Sequence, residues 1–305
     1  MTNLSYLLTT CHVGKDGLDD LFRLVASAQS ALDDGEVGQV RLIALIQGCP
    51  SAASKEVERR MPQWVELLST EASLSSPAAR NALICHLVDH ADFDPAAPVG
   101  FPDDDAWYPR GALSCIARHF SDAEDLKLLL SRYGPAPSAE GCAYAFRPTL
   151  QQALSRGACA AIFVRAAMLA QLGGFHELLG LGTKLRGGED TDFVHRAFQI
   201  AGAQVLCVPG FLVGHAASNP AKKATYYEGG LTAIMAHSGV SAAARMALLR
   251  KLAAGAWLLL RKRLSLAEYV GALRRAREHS AAVRNGPSVS KPDLLTAHTC
   301  EHENA

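Results

Sequence analysis

The chain has 305 residues, of which 49% are hydrophobic and 20% charged, and its 30 basic residues balance its 30 acidic ones. This composition excludes a disordered chain and lacks the basic excess of a nucleic-acid-binding protein, so we expect no nucleic-acid partner. The length is enough for one large α/β domain or two smaller domains.

Cysteine spacing and apolar runs bear on the cellular compartment. The eight cysteines are scattered without a C-x-x-C pair, which favours free thiols in a reducing cytosol. Residues Met1 to Tyr6 lack the pattern of a signal peptide. The longest apolar run, Leu252 to Leu260, has nine residues, fewer than the roughly 20 needed to span a bilayer. We therefore expect a cytoplasmic protein.

The first hundred residues alternate between strand and helix patterns. Apolar periodicity predicts strands over 5–10, 40–46, 64–69 and 99–101, and helices over 17–31, 55–61 and 76–90. The run from Val40 to Ile46 is continuously apolar, which is typical of a strand buried on both faces. This alternation predicts a parallel, doubly wound sheet, whose ligands bind beyond the carboxyl ends of the strands.

The second part of the chain continues the alternation and then becomes helical. Predicted helices cover 109–120, 165–172 and 189–201, and predicted strands cover 125–133, 157–164 and 203–208. Residues 134–148 are rich in Pro, Gly, Ala and Ser and are predicted to be a mobile loop. We expect a catalytic domain over 1–240, a basic helical extension over 241–285 and a disordered tail over 286–305.

An acidic triplet, Asp103, Asp104 and Asp105, follows the strand that ends at Phe101. Like charges this close raise one another's pKa when they are half-buried, and a bound cation removes that penalty. Carboxylate oxygens suit Mg²⁺ or Mn²⁺. The alternative is a solvated turn, because Asp favours turns.

A second acidic segment begins a predicted helix at Gly187-Gly188-Glu189-Asp190. Two glycines let the backbone approach a ligand closely, and a helix N-terminus stabilises the two carboxylates. The alternative is ordinary capping by first-turn acids, which needs only one acid and leaves the glycines unexplained. Downstream, His215 follows an apolar run and is either a surface or core histidine or a further metal ligand.

The order of these segments carries a resemblance. In sequence they read T-T, S-x-x-A-R-N, G-F-P-D-D-D-x-W-Y-P, G-G-F-x-E, G-G-E-D-T-D-F-x-x-R and a late His. Together they resemble a family 2 glycosyltransferase of the GT-A fold, in particular bacterial enzymes with FPDDDxWYP, many of which act on surface polysaccharide. The resemblance covers residues 5 to 240. It implies a doubly wound mixed sheet with a C-terminal helical extension and an inverting sugar transfer from a nucleotide-diphospho-sugar, in the first place a UDP-sugar.

The resemblance also implies roles for individual residues. Asp190 would be the catalytic base, with Glu189 beside it orienting the acceptor. The metal ligands for Mn²⁺ or Mg²⁺ would be Asp105, Asp103 and His215. The donor-binding positions would be Thr9, Thr10, Gln47, Arg80, Asn81, Asp103 and Asp104. The acceptor-side positions would be Trp107, Gly188 and His176, although core packing is an alternative for Trp107 and for Tyr108.

Two positions depart from the family pattern. Ile46 stands where relatives have a nucleoside-binding acid, so either Gln47 contacts the base or the nucleoside is held differently. His176 replaces an acid near the acceptor with a titratable imidazole. These departures leave open a catalytically silent nucleotide- or glycan-binding protein. The acidic triplet leaves open another metal–nucleotide-dependent transferase, which would use it for a metal-bound triphosphate.

Residues 245–277 interleave Arg and Lys with Leu, Ala, Trp257 and Tyr269 in a helical pattern. A helix with apolar and cationic faces can lie at the inner face of an anionic plasma membrane, which would bring the enzyme to a glycan or lipid-linked acceptor. The alternative is an amphipathic helix packed on the catalytic domain or on a partner subunit.

Overall fold

A computed structural model describes residues 4–12, 17–33, 39–49, 57–216, 222–286 and 296–297. The strands are β1 (Leu4–His12), β2 (Gln39–Gln47), β3 (Val65–Thr70), β4 (Pro98–Gly100), β5 (Leu128–Gly134), β6 (Ile162–Arg165), β7 (Val205–Gly214) and β8 (Thr296–Ala297). The α-helices are α1 (Gly17–Asp33), α2 (Ser76–Val88), α3 (Ala112–Asp122), α4 (Leu150–Arg156), α5 (Leu169–Leu172), α6 (Glu189–Ala201), α7 (Lys222–Thr225), α8 (Tyr227–His237), α9 (Ala242–Leu260) and α10 (Leu266–Arg284).

These strands form one mixed sheet in the order β7-β5-β6-β4-β1-β2-β3-β8. Strand β1 pairs parallel with β2 and β4, and β5 pairs parallel with β7. Strand β6 runs antiparallel to both neighbours, β4 and β5. The predicted doubly wound mixed α/β sheet is confirmed, whereas an all-parallel sheet, as the alternation alone suggests, is wrong at β6. The reason is that β6 starts beside Leu130 and runs back toward Leu128, so the connection from β5 does not cross to the opposite edge.

The central strands are buried on both faces, as the apolar run in β2 predicts. Leu42 and Ile46 pack in the core cluster on one face of the sheet, while Ile43 and Leu45 pack in the cluster on the other. This follows from the alternation of side chains along a strand. Strand β6 is antiparallel to both β4 and β5, so these two strands are parallel to each other. Strands β4, β5 and β7 therefore point the same way as β1 and β2. Their carboxyl ends therefore meet at one edge of the sheet.

The C-terminal helical extension, predicted over 241–285, consists of two helices. Helix α9 ends at Leu260, and Lys262 has a φ of 54°, the left-handed conformation that ends many helices. Ser265 then begins α10 through a reciprocal capping box with Glu268. Among the described residues, no helix is both long and apolar enough to cross a bilayer.

Some predictions fall partly outside the described residues. The helix predicted over 55–61 is described only from residue 57, and beyond Gly286 the tail predicted to be disordered is described only at Thr296 and Ala297. These two residues pair antiparallel with Ser69 and Leu68 at the edge of the sheet. Of residues 134–148, predicted as a mobile loop, Gly134 ends β5, and the others contain no helix and a single isolated bridge, from Phe146 to Cys207.

Candidate active site

The acidic triplet and His215 meet at the carboxyl edge of the sheet. The triplet follows β4, and His215 follows β7, where its backbone N–H donates to the Gly134 carbonyl at 3.1 Å. His215 Nε2 lies 3.2 Å from Asp105 Oδ1 and 3.8 Å from Asp103 Oδ2. The possible ligand atoms of the three side chains all lie within 4.8 Å of one another. The acidic cluster predicted for a divalent metal is therefore present, with the three residues that were named for it.

The chemistry of this cluster fits a divalent cation. His215 Nδ1 lies 2.8 Å from the Ala216 carbonyl oxygen, so Nδ1–H donates and Nε2 faces the two carboxylates. The hydrogen bond with Asp105 raises the pKa of His215 to about 9 and lowers the pKa of the Asp105 carboxyl. Burial, with the charges of Asp105 and Asp103, raises the pKa of Asp104 to about 6. Two carboxylate oxygens and one imidazole nitrogen form a set that Mn²⁺ accepts well.

Arg80 fixes the position of Asp103. Its side chain is buried in α2, and Nη2 donates to Asp103 Oδ1 at 2.7 Å while Nη1 donates to Ser76 Oγ at 2.9 Å. The guanidinium carbon lies 5.5 Å from the centre of the Phe175 ring. Helix α2 begins at Ser76, and the Ser75 side chain caps it by accepting from the Ala78 N–H. Arg80 is thus an ion-pair partner of the metal-site candidate, and its role toward a donor phosphate stays a prediction.

Glu189 and Asp190 are the first two residues of helix α6, and their charges, like that of Asp103, act on Arg80. Asp190 Oδ2 accepts from the Cys159 N–H at 3.1 Å, while Oδ1 is out of solvent contact and has no hydrogen-bond partner in the described part of the chain. Burial, followed by the charge of Asp190, raises the pKa of Glu189 to about 7. Burial also raises the pKa of Asp190, and the charge of Asp103 adds to this effect. The two acidic segments therefore belong to one electrostatic site.

The glycines before this pair pack against another helix. Gly188 has a φ of 91°, and a Cβ placed on it would lie 2.4 Å from both the carbonyl carbon and the oxygen of Gly229. A Cβ on Gly187 would lie 2.9 Å from Tyr226 Cβ. Contact with the start of α8 therefore accounts for both glycines, where the sequence suggests close approach to a ligand. The acceptor-side role of Gly188 stays a prediction.

The donor-side candidates at the ends of β1 and β2 bond to one another. Gln47 Nε2 donates to Thr10 Oγ1 at 2.7 Å, and Gln47 Oε1 accepts from the Leu74 N–H at 2.7 Å. Thr9 Oγ1 is buried and has no partner among the described residues. Because both polar atoms of the Gln47 amide are engaged, a nucleoside would need to displace one of these bonds. The donor-binding roles of the three residues stay predictions.

Asn81 and His176 hold the Phe175–Glu177 loop in place. Asn81 Nδ2 donates to the Phe175 carbonyl at 2.8 Å and to Glu177 Oε1 at 3.0 Å, and Asn81 Oδ1 accepts from the Phe175 N–H at 2.7 Å. His176 is buried, with Nε2 3.3 Å from the Ala282 carbonyl oxygen in α10. The hydrogen bonds of both side chains are with this loop and α10, so these bonds do not bring either residue to Asp190.

Trp107 lies beside the metal-site candidate. Its backbone pairs with Gly214 next to His215, and a Cβ on Gly214 would lie 2.1 Å from the indole. The guanidinium carbon of Arg23 lies 5.2 Å from the ring, and Arg23 Nη2 donates to the Asp105 carbonyl at 2.8 Å. The indole is half-buried, whereas Tyr108 is buried in the core. Core packing is thus observed for Tyr108, and contact of Trp107 with a sugar stays a prediction.

A buried network of charged side chains was not predicted from the sequence. Asp192 is fully buried, accepts from Arg196 Nε at 2.9 Å and lies 2.8 Å from His237 Nε2. Arg196 also donates to the Gly174 carbonyl at 2.9 Å. The network therefore joins α6, α8 and the segment 173–188 between α5 and α6, which we call the glycine loop. The spacing of Asp192 and Arg196 by four residues in a helix was an available signal. His237 follows from packing alone, 45 residues away.

A cavity of about 430 Å³ opens next to the Gly187-Gly188 turn. It is lined by Leu181, Gly182, Thr183, Arg186, Thr225 and Tyr226. Arg186 and Leu181 are exposed at this cavity, which offers both a charged and an apolar contact to a ligand.

No protein-family model matches the chain, and no curated protein matches it either. Solved structures do match. S. aureus TarS 1-349 in complex with UDP is similar at 13% identity with a TM-score of 0.53, covering 99% of this chain and 98% of that one. The same protein in complex with UDP-GlcNAc gives 13% identity, a TM-score of 0.54 and the same coverage. A longer TarS structure gives 13% identity and a TM-score of 0.54, and the match covers 91% of this chain and 50% of that one. At this identity the likeness establishes the fold, and it agrees with the GT-A fold that the resemblance implied.

Proposed function

We propose that this chain is a metal-dependent glycosyltransferase that takes its sugar from a nucleotide-diphospho-sugar, in the first place a UDP-sugar. The observation that carries this proposal is the Asp103, Asp105 and His215 cluster, joined by Arg80 to the carboxyls at the start of α6. The fold supports it, because TarS, which shares this fold, has been solved in complex with UDP and with UDP-GlcNAc.

Asp103, Asp105 and His215 would hold Mn²⁺ or Mg²⁺, which when bound offsets the charge of the leaving diphosphate. The chain's own residues prepare the ligands for this role. The Ala216 carbonyl orients the imidazole, and the Arg80 guanidinium holds Asp103 by one oxygen while the other faces His215. Arg80 also keeps the net negative charge of the cluster low, which limits the repulsion between its acids.

Asp190 is the proposed base. Its Oδ2 is fixed by the Cys159 N–H, while its buried Oδ1 has no hydrogen-bond partner among the described residues and so could accept a proton from an acceptor hydroxyl that reaches it. Burial raises its pKa, which brings its proton affinity closer to that needed near neutral pH. General base catalysis of this kind is worth about 10²–10⁴ in rate. A single displacement of this type inverts the anomeric centre.

The acceptor is proposed to be a glycan or lipid-linked glycan of a bacterial surface polysaccharide. The cavity beside Gly187 and Gly188 supports a site for it, because it adjoins the turn that carries the proposed base. The basic C-terminal helices support peripheral contact with the cytoplasmic face of the plasma membrane.

A thermal-shift panel of UDP, GDP, dTDP and CMP, with and without Mn²⁺, tests the donor and metal. A ligand at 100 times its Kd stabilises by about 2.7 kcal/mol. We expect a shift with one diphosphate, present only with Mn²⁺, absent in Asp105→Ala and retained in Asp122→Ala, an exposed carboxylate in α3. The absence of any shift with any nucleotide would contradict the proposal.

Asp190→Asn separates the proposal from its two alternatives. A glycosyltransferase loses sugar transfer in this variant and keeps the Mn²⁺-dependent nucleotide shift. A silent binding protein shows the shift in both forms and transfers no sugar from either. A different metal–nucleotide transferase consumes a nucleoside triphosphate and is not expected to need Asp190, so this outcome would replace the proposal.

A further inference from the structure

Helix α9 carries an apolar face that points away from the protein. Its small residues Ala244, Ala247 and Gly255 are buried against the rest of the chain. On the opposite side, Met246, Leu249, Ala253, Trp257 and Leu260 are exposed, the last by 76%. At about 100° per residue these five positions fall within an arc of about 80°, so they form one stripe.

The stripe continues onto helix α10. Leu266 and Val270, at the start of that helix and four residues apart, are 63% and 54% exposed. We call the exposed apolar residues of both helices the outer stripe; it consists of Met246, Leu249, Ala253, Trp257, Leu260, Leu266 and Val270. A surface helix of a soluble protein normally presents polar residues on this side, so a stripe of this length indicates an interaction surface.

The charge around the outer stripe is almost entirely positive. Residues 241–270, which contain the stripe, have six Arg and Lys side chains and one carboxylate, Glu268. Arg245, Arg250 and the Arg261–Arg263 run are exposed at the sides and end of the stripe. A second copy of the chain would bring the same cations against one another, which opposes self-association through this face. A surface that is anionic outside and apolar inside is complementary both to these cations and to the outer stripe.

A cavity of about 420 Å³ lies where the two helices join. Its lining is Leu259, Lys262, Arg263, Leu264, Ser265 and Glu268. Glu268 Oε2 accepts from the Ser265 N–H at 2.7 Å, so this carboxylate is engaged in the helix cap. The side chains of Lys262 and Arg263 have no hydrogen-bond or ion-pair partner among the described residues. The cavity thus presents two exposed cations next to Leu260 and Leu266, as a binding place for a phosphate at an apolar boundary would.

From these observations we infer that the outer stripe docks on an anionic lipid bilayer, with lipid phosphates at the cavity between α9 and α10. Trp257 suits the boundary between headgroups and acyl chains, because its ring is amphipathic. The guanidinium carbon of Arg261 lies 4.5 Å from the centre of that ring, which places a cation beside it at headgroup level. The helices lie on the bilayer and do not cross it.

Docking in this way fixes the height of the candidate active site above the bilayer. Tyr227 of α8 donates to the Lys251 carbonyl in α9 at 3.2 Å, and Arg284 of α10 donates to the Ala236 carbonyl in α8 at 2.8 Å. Helix α8 in turn contacts the Gly187-Gly188 turn. That the bilayer supplies a lipid-linked acceptor rests on the proposed function; the docking itself does not.

Vesicle flotation of the full chain, without nucleotide or metal, tests the inference. We expect binding to vesicles of phosphatidylcholine with 30% phosphatidylglycerol (about 3 in 10 lipids anionic) and none to phosphatidylcholine alone. Lys262→Gln with Arg263→Gln should weaken the vesicle partition about fivefold per cation. The matched pair Arg118→Gln with Arg147→Gln, at exposed arginines elsewhere, should leave it unchanged.

A second pair of variants tests the apolar part. Leu260→Glu should abolish flotation, whereas Tyr144→Ala, at a 65% exposed aromatic outside the stripe, should not. Equal binding to neutral and anionic vesicles, or no binding by the wild type, would overturn the inference. So would a dimer in sedimentation velocity that Leu260→Glu dissociates, since a second copy would then cover the stripe. The Mn²⁺-dependent nucleotide shift should persist in every variant, which separates a docking defect from failure of the proposed function.

Discussion

Glu189 should make the protein less stable as the pH rises toward 7. Its side chain is 9% exposed, and burial together with the Asp190 charge raises its pKa from the ordinary 4.5 to about 7. Between these two values the folded state binds more protons than the unfolded state. Stability therefore falls as the pH increases through this window, and the loss is complete above it.

The size of the effect follows from the two pKa values. A change from 4.5 to about 7 corresponds to about 3 kcal/mol, since one pH unit is worth about 1.36 kcal/mol. Glutamine has the same shape and no charge to lose. We therefore expect Glu189→Gln to be more stable than the wild type at pH 8 by up to about 3 kcal/mol, and to match it near pH 4.

Urea unfolding of both proteins at pH 4.5, 5.5, 6.5 and 8, with metal chelated, measures this difference. Subtracting the two curves removes the contributions of His215 and Asp104, which titrate in both proteins. Glu140→Gln, at an exposed carboxylate, controls for net charge. A difference between Glu189→Gln and wild type that is the same at every pH would refute the reasoning, because it would mean that the pKa of Glu189 is the same in the folded and unfolded states.

Three further predictions concern packing, the buried network and the metal site. Gly188→Ala should cost roughly 3 kcal/mol, because a Cβ would meet the α8 backbone at 2.4 Å, whereas Gly48→Ala, with the same sign of φ and open space, should cost about 1 kcal/mol in a urea titration. Asp192→Asn should cost about 3–5 kcal/mol by the same measurement, because it removes the carboxylate charge from a buried ion pair with Arg196. Mn²⁺ must displace the His215 proton, so calorimetry should show proton release and an affinity that rises with pH toward 9.

The metal-site candidate was predicted from the acidic triplet together with the resemblance, which supplied the complete set of Asp103, Asp105 and His215. Asp103 and Asp105 follow one strand and His215 follows another, and strands that point the same way bring their carboxyl ends together. The strands were also predictable, because the alternation of side chains between the two buried faces of a sheet is a local property of the sequence. Its limit was β6, whose direction depends on how a connection of 27 residues packs.

Side-chain partners from distant helices were beyond sequence reasoning. Asn81 and His176 matched positions of a ligand site, yet their hydrogen bonds hold the 175–177 loop and α10. The glycines at 187 and 188 indicated close approach, and the partner turned out to be a helix 41 residues on, counted from 188 to Gly229. The break between α9 and α10 was different, because Ser265 and Glu268 form a capping box that can be read from the sequence.

The contact between α10 and the glycine loop sets the order in which the protein can be completed. Val283 packs with Leu179 and Leu185 of that loop, and His176 bonds to a carbonyl 106 residues later. A ribosome releases the loop long before it releases α10. The loop beside the proposed base therefore lacks this packing partner in the nascent chain until residues 266–284 have emerged from the ribosome.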